Sequence, residues 1–82
     1  MMNGEFFMAC QNGDKAKVAS LLANSLMDVN QADNDGKTPF YIACQEGHNE
    51  VVAQLLADAR VGVNQTENEG ATPFYIACEE GY

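Results

Sequence analysis

Basic residues are scarce in this chain. Lys15, Lys17, Lys37 and Arg60 stand against twelve acidic residues in a length of 82, which leaves a net charge of −8. Binding nucleic acid through its phosphates needs a broad basic face, and four scattered cations do not make one. An anionic membrane surface is disfavoured for the same reason. Long apolar runs are also missing: the longest, from Phe6 to Cys10, has five residues. That spans no bilayer, and no basic stretch followed by an apolar core marks a secretory leader. The three cysteines leave one odd thiol, so a disulfide framework is disfavoured and a reducing interior, the cytoplasm in the simplest case, is expected. With 46% hydrophobic residues the chain is too apolar to stay disordered, and its length allows one small domain.

The organising feature is internal repetition at an offset of 34. The segment Thr38-Pro39-Phe40-Tyr41-Ile42-Ala43-Cys44 returns as Thr72-Pro73-Phe74-Tyr75-Ile76-Ala77-Cys78, and residues 38–48 match 72–82 at nine of eleven positions. At the same offset residues 9–36 match 43–70 at fourteen of 28. Such self-similarity defines a repeat array, with units at about 1–33 and 34–67 and a partial third at 68–82.

Each unit reads as two helices and a turn. Thr38 suits an N-cap and Pro39 the first helical position, where its missing N–H costs nothing. Phe40, Ala43 and Cys44 then share one helix face, Gly47 allows a sharp turn, and Val51-Val52 with Leu55-Leu56 stripe a second helix. Val18, Leu21 and Leu22 give the first unit the same stripe. The stretches Asp33-Asn34-Asp35-Gly36 and Glu67-Asn68-Glu69-Gly70 suit tight turns. The first unit has Gly4-Glu5 where the others have Thr-Pro, so Asn3 or Gly4 must cap its helix. Phe6 and Phe7 stand where Phe40 and Tyr41 do, so one of them is expected to be partly exposed.

The order Asp33-Asn34-Asp35-Gly36-Lys37-Thr38-Pro39, Gly47-His48-Asn49-Glu50-Val51-Val52, Leu55-Leu56 and Val63-Asn64 resembles the ankyrin repeat. The resemblance covers almost the whole chain. It implies an all-α solenoid of helix–turn–helix units, here two repeats and the first helix of a third, and a non-catalytic module that binds proteins. Three features depart from the family pattern. The period is 34 rather than about 33. The glycine that commonly ends the second helix is absent, so Asn24 or Asp58 is expected in the left-handed cap. Tyr41 and Tyr75 stand at the place of the family's helix histidine.

No cofactor, metal or catalytic set emerges. Cys10, Cys44 and Cys78 occupy one equivalent position and are expected to be buried free thiols acting as small hydrophobes. Cys44 and His48 are four apart, but Gly47 interrupts the helix between them and no third group orients the pair. One histidine is too few for a zinc site of mixed ligands. The sequon Asn64-Gln65-Thr66 falls on the repeat's Val-Asn position, which Asn30 also occupies. The resemblance implies that Asn30 and Asn64 order the turn, and makes both candidates for the hydroxylation some members undergo.

Charge is uneven: residues 1–41 carry a net −2 and residues 42–82 a net −6. The resemblance places partners on the turn tips and the exposed face of the first helices. By position those are Asn34, Asp35, Lys37, Tyr41, Gln45 and Glu46 in one unit, then Asn68, Glu69, Ala71, Tyr75, Glu79 and Glu80 in the next. Five acids against one lysine favour a basic protein partner, and the tyrosines suit anchoring contacts. An acidic face kept only for solubility is the plain alternative. The third unit stops at Gly81-Tyr82, before its second helix. Phe74, Ile76 and Ala77 are therefore expected to lack cover, and further repeats are expected beyond Tyr82. In the alternative reading the chain is an amino-terminal cap or spacer of a longer array.

Overall fold

The computed structural model describes residues 4–81. Five helices follow one another: α1 (Gly4–Asn12), α2 (Lys15–Leu22), α3 (Pro39–Gln45), α4 (Asn49–Leu56) and α5 (Pro73–Glu79). The first helices α1, α3 and α5 stack in one layer, and the second helices α2 and α4 pack in another. None is long and apolar enough to cross a membrane.

Local chemistry starts the helices. The Thr38 hydroxyl accepts from the Tyr41 N–H at 3.1 Å, and Thr72 does the same for Tyr75. Pro39 and Pro73 follow at the first helical position. Asp14 caps α2 by accepting from the Lys17 N–H. In α1, Gly4 is already the first helical residue, so it is not the cap, and Asn3 lies outside the described residues. Gly13 and Gly47, both at φ +72°, turn the chain between the two helices of a unit.

The left-handed cap expected at Asn24 or Asp58 does not form, because no described residue other than glycine has positive φ. Helices α2 and α4 end on Ala23 and Ala57 in right-handed geometry. The side chains of Asn24 and Asp58 instead accept from the N–H groups of Leu26 and Arg60, two residues on. These Asx turns redirect the chain without the cost of a left-handed residue.

Phe6, Val18, Phe40, Ile42, Val51 and Leu55 form the centre of one core. Phe7 is half-buried beside the fully buried Phe6, as the sequence suggests. At the other end the expectation is met only in part. Phe74 is 76% exposed, whereas Ile76 is 8% exposed, since α5 turns it towards α3. Cys10 and Cys44 are buried free thiols, but Cys78 is exposed, correcting the expectation that all three are covered.

Candidate partner-binding face

The turn tips come first in building this face. In the turn before α3, Asp33 accepts from the N–H groups of Asp35 and Lys37, both at 2.9 Å. In the turn before α5, Glu67 repeats the arrangement with Glu69 and Ala71 at 2.7 and 3.0 Å. An acid at the base of each turn therefore holds the turn's own backbone. The two tips are also tied to each other. The Asn68 side chain donates to the Asn34 carbonyl and its N–H to the Asp35 carbonyl, both at 2.9 Å.

This geometry leaves Asn34, Asp35, Glu46, Asn68, Glu69, Tyr75, Glu79 and Glu80 exposed, with Lys37, Gln45 and Ala71 half-buried. Tyr41 does not join them. It is 3% exposed, so it is a core residue and not a surface anchor. The following unit covers it, while Tyr75, at the same place in the last unit, stays 56% exposed. The Lys37 ammonium sits 5.9 Å from the centre of the Tyr41 ring, in cation–π range.

Electrostatics link the two units across this face. Burial pushes the Tyr41 phenol above its ordinary pKa, and the charges of Glu67, Glu79, Glu69 and Glu80 add to the rise. Carboxylates from the turn before α5 and from the end of α5 thus add negative potential at one phenol. Glu67 is the member that inspection of the repeat pattern missed. Its place at the base of a turn gave no sign that its charge also bears on Tyr41.

Cys44 and His48 do not form a nucleophilic pair. Burial pushes the Cys10 thiol up to about 12 and the Cys44 thiol to about 11, so both stay protonated near neutral pH. The His48 ring is engaged elsewhere, with Nε2 2.8 Å from the Gln11 carbonyl of the first unit. Among the described residues no three histidine, cysteine or acidic side chains gather as metal ligands would.

A second set of polar ties joins the units behind this face. The Asn30 side chain donates to the Arg60 carbonyl at 2.7 Å and accepts from the Gly62 N–H at 2.8 Å. Arg60 is held by Asp58, at 3.0 Å through Nε and 2.7 Å through Nη2. Its guanidinium then reaches the carbonyls of Leu22 and Asn24 at 2.8 and 3.0 Å. At the open end of the stack lies a groove of about 470 Å³, lined among others by Phe40, Val52, Leu56, Val63 and Phe74.

The stacked helix pairs, tied turns and inter-unit polar bonds define a helical repeat solenoid. A family model described as ankyrin repeats in three copies matches residues 6–82, and the chain belongs to the ankyrin repeat family. Proteins of this family are generally non-enzymatic and act by binding other proteins. Comparison with curated proteins finds no match.

Proposed function

We propose that the chain is a non-catalytic interaction module that offers its turn tips and first helices, as one concave face, to a basic protein partner inside the cell, with units at about 1–33, 34–67 and 68–82. The observation that carries this reading is the exposure of Glu69, Glu79 and Glu80 on the turn tip and first helix of the last unit. Their neighbours Asp35 and Glu46 are also exposed. A potential of one sign over a rigid surface speeds the encounter with an oppositely charged partner and rejects like-charged ones. Rigidity supports the reading further, since turns tied by Asn68 lose little freedom on binding.

The test uses a short Lys/Arg-rich peptide as probe, titrated into the protein and followed residue by residue by NMR. Shifts should map to Asp35, Glu69, Tyr75, Glu79 and Glu80 and weaken with salt. Joint replacement Glu69→Gln, Glu79→Gln and Glu80→Gln should weaken binding by about tenfold or more. Equal binding by the variant, or shifts confined to α2 and α4, would sink this reading.

A second reading is favoured by one separate observation. Leu56 and Phe74, 59% and 76% exposed, border an apolar groove at the end of the stack. In that reading the chain caps or spaces a longer array, and the residues that choose the partner lie in other units.

A further inference from the structure

Three equivalent residues stand just before the glycine that follows a first helix: Asn12, Glu46 and Glu80. All three are exposed, and the first alone carries an amide. The Asn12 side chain makes no hydrogen bond among the described residues. The residue after it cannot be exchanged for a larger one. Gly13 has φ +72°, and a Cβ there would stand 2.6 Å from Nδ1 of His48. His48 is kept in that place by its 2.8 Å contact with the Gln11 carbonyl. Packing of the second unit on the first therefore demands a glycine directly after an exposed asparagine.

That pairing is chemically weak. With no Cβ beside it, the nitrogen of a glycine is open to the side chain of a preceding asparagine. The Gly13 N–H is also loosely held. It reaches the Cys10 carbonyl at 3.3 Å, longer than an ordinary N–H···O bond, at the end of a helix, where fraying is easiest. Other asparagines are better protected. Asn24 and Asn68 precede Ser25 and Glu69, and their side chains are engaged by the Leu26 N–H and the Asn34 carbonyl. Asn3 also precedes a glycine but lies outside the described residues.

We propose that Asn12-Gly13 is a site of spontaneous deamidation, and that the isoaspartate it yields loosens the junction between the first two units. The Gly13 nitrogen attacks Cγ of Asn12. A C–N bond forms, the bond from Cγ to Nδ2 breaks, and Nδ2 leaves as ammonia with the proton of the Gly13 N–H. Nothing is oxidised or reduced. Water then opens the five-membered ring. Attack at Cγ gives aspartate, whereas attack at the main-chain carbonyl, the favoured course, gives isoaspartate. Aspartate only puts a carboxylate where Glu46 and Glu80 already have one. Isoaspartate inserts a methylene into the main chain between Gln11, whose carbonyl holds His48, and Asp14, which caps α2. The Asp14 N–H also closes the turn on the Ala9 carbonyl at 2.9 Å. A turn this short has no slack for another atom, so these bonds cannot all be kept.

The experiment ages the full chain in mildly alkaline buffer beside an Asn12→Glu variant, which copies the other two units. Peptide mapping by mass spectrometry, with fragmentation that separates aspartate from isoaspartate, follows each asparagine. Asn12 should convert about tenfold or more faster than Asn24, Asn34 or Asn68, because only its neighbour lacks a Cβ. The fresh variant should melt close to the native chain. After ageing, the native chain should lose about 5 °C or more in Tm, with shifted His48 ring resonances, and the variant should lose neither. Any change at Asn3 occurs in both chains and cancels. An Asn12 that keeps its amide in the folded chain, while losing it in urea, would overturn the proposal. Conversion at Asn12 with Tm and His48 unmoved would overturn the effect on the junction.

Discussion

Arg60 and Leu22 lie 38 residues apart in sequence, and Nη2 of one meets the carbonyl oxygen of the other at 2.8 Å. Leu22 is the last residue of α2, so the guanidinium sits at the negative end of a helix whose final carbonyls lack partners within it. Asp58 accepts from the same guanidinium through both carboxylate oxygens and aims it. One side chain thus closes a helix end in the preceding unit and the Asx turn of its own.

Arg60→Ala should lower Tm clearly, and Arg60→Lys should recover only a small part of the loss, since a point charge cannot reach the Leu22 and Asn24 carbonyls together. Lys15→Ala, which removes an exposed pair with Glu50 at 3.2 Å, should leave Tm almost unchanged. Thermal melts of the three variants by circular dichroism decide it. Equal losses at Arg60 and Lys15 would contradict the structural role given to the guanidinium.

Acid should act through the same pair. Hydrogen bonds from Arg60 hold the Asp58 carboxyl at about 2, below its ordinary 3.8. A carboxylate whose pKa is depressed by folding stabilises the fold above its unfolded value, and that contribution disappears as pH falls through the folded one. The stability gap between the native chain and Asp58→Asn should be full at pH 5 and shrink steadily between about pH 4 and 2. Urea titrations across that range measure it, and a gap that stays constant would remove Asp58 from the acid response.

The three equivalent phenylalanines should behave very differently. Phe6 and Phe40 are 1% and 6% exposed, against 76% for Phe74. Phe6→Ala should cost ~3–5 kcal/mol, a large share of the ~4–12 kcal/mol expected for a chain of this length. Phe74→Ala should change stability by no more than about 0.5 kcal/mol. Denaturant unfolding of each variant tests this ordering, which sequence identity alone would not produce.

Turn glycines offer a fourth comparison. Gly36 and Gly70 both have positive φ, +80° and +89°. A Cβ on Gly36 would collide with the Asn68 side chain and stand 2.8 Å from its backbone nitrogen, whereas a Cβ on Gly70 meets nothing within 4 Å. Each alanine carries the left-handed penalty of ~1–2 kcal/mol, but Gly36→Ala also breaks the tie between the turns. Its Tm should fall further than that of Gly70→Ala, and equal falls would mean that the tie contributes nothing.

Much of the fold was legible because its determinants are local. Thr38-Pro39 and Thr72-Pro73 start helices through bonds three residues long, and the stripe of Val51 and Leu55 is a property of one helix. The candidate face was less legible. Tyr41 and Tyr75 have identical neighbours in sequence, yet one is core and the other surface, because burial depends on whether another unit stands beside the residue. Arg60 carried no signal either, since the counterpart of the arginine in the first unit is Leu26. Asn24 and Asp58 look like cap residues by position, but the residues after them allow an Asx turn, which needs no left-handed backbone.

The side-chain hydrogen bonds described between units all join residues 30 to 39 apart, from Asn30 with Arg60 to Gln54 with Lys15. In kinetic terms every such link closes a loop of nearly the same length, so the entropic barrier to joining one unit to the next is nearly constant along the chain. Folding that begins between α1 and α3 can spread as a zipper, each step meeting the same search distance, and a longer array of this kind would gain stability without a matching rise in its nucleation barrier.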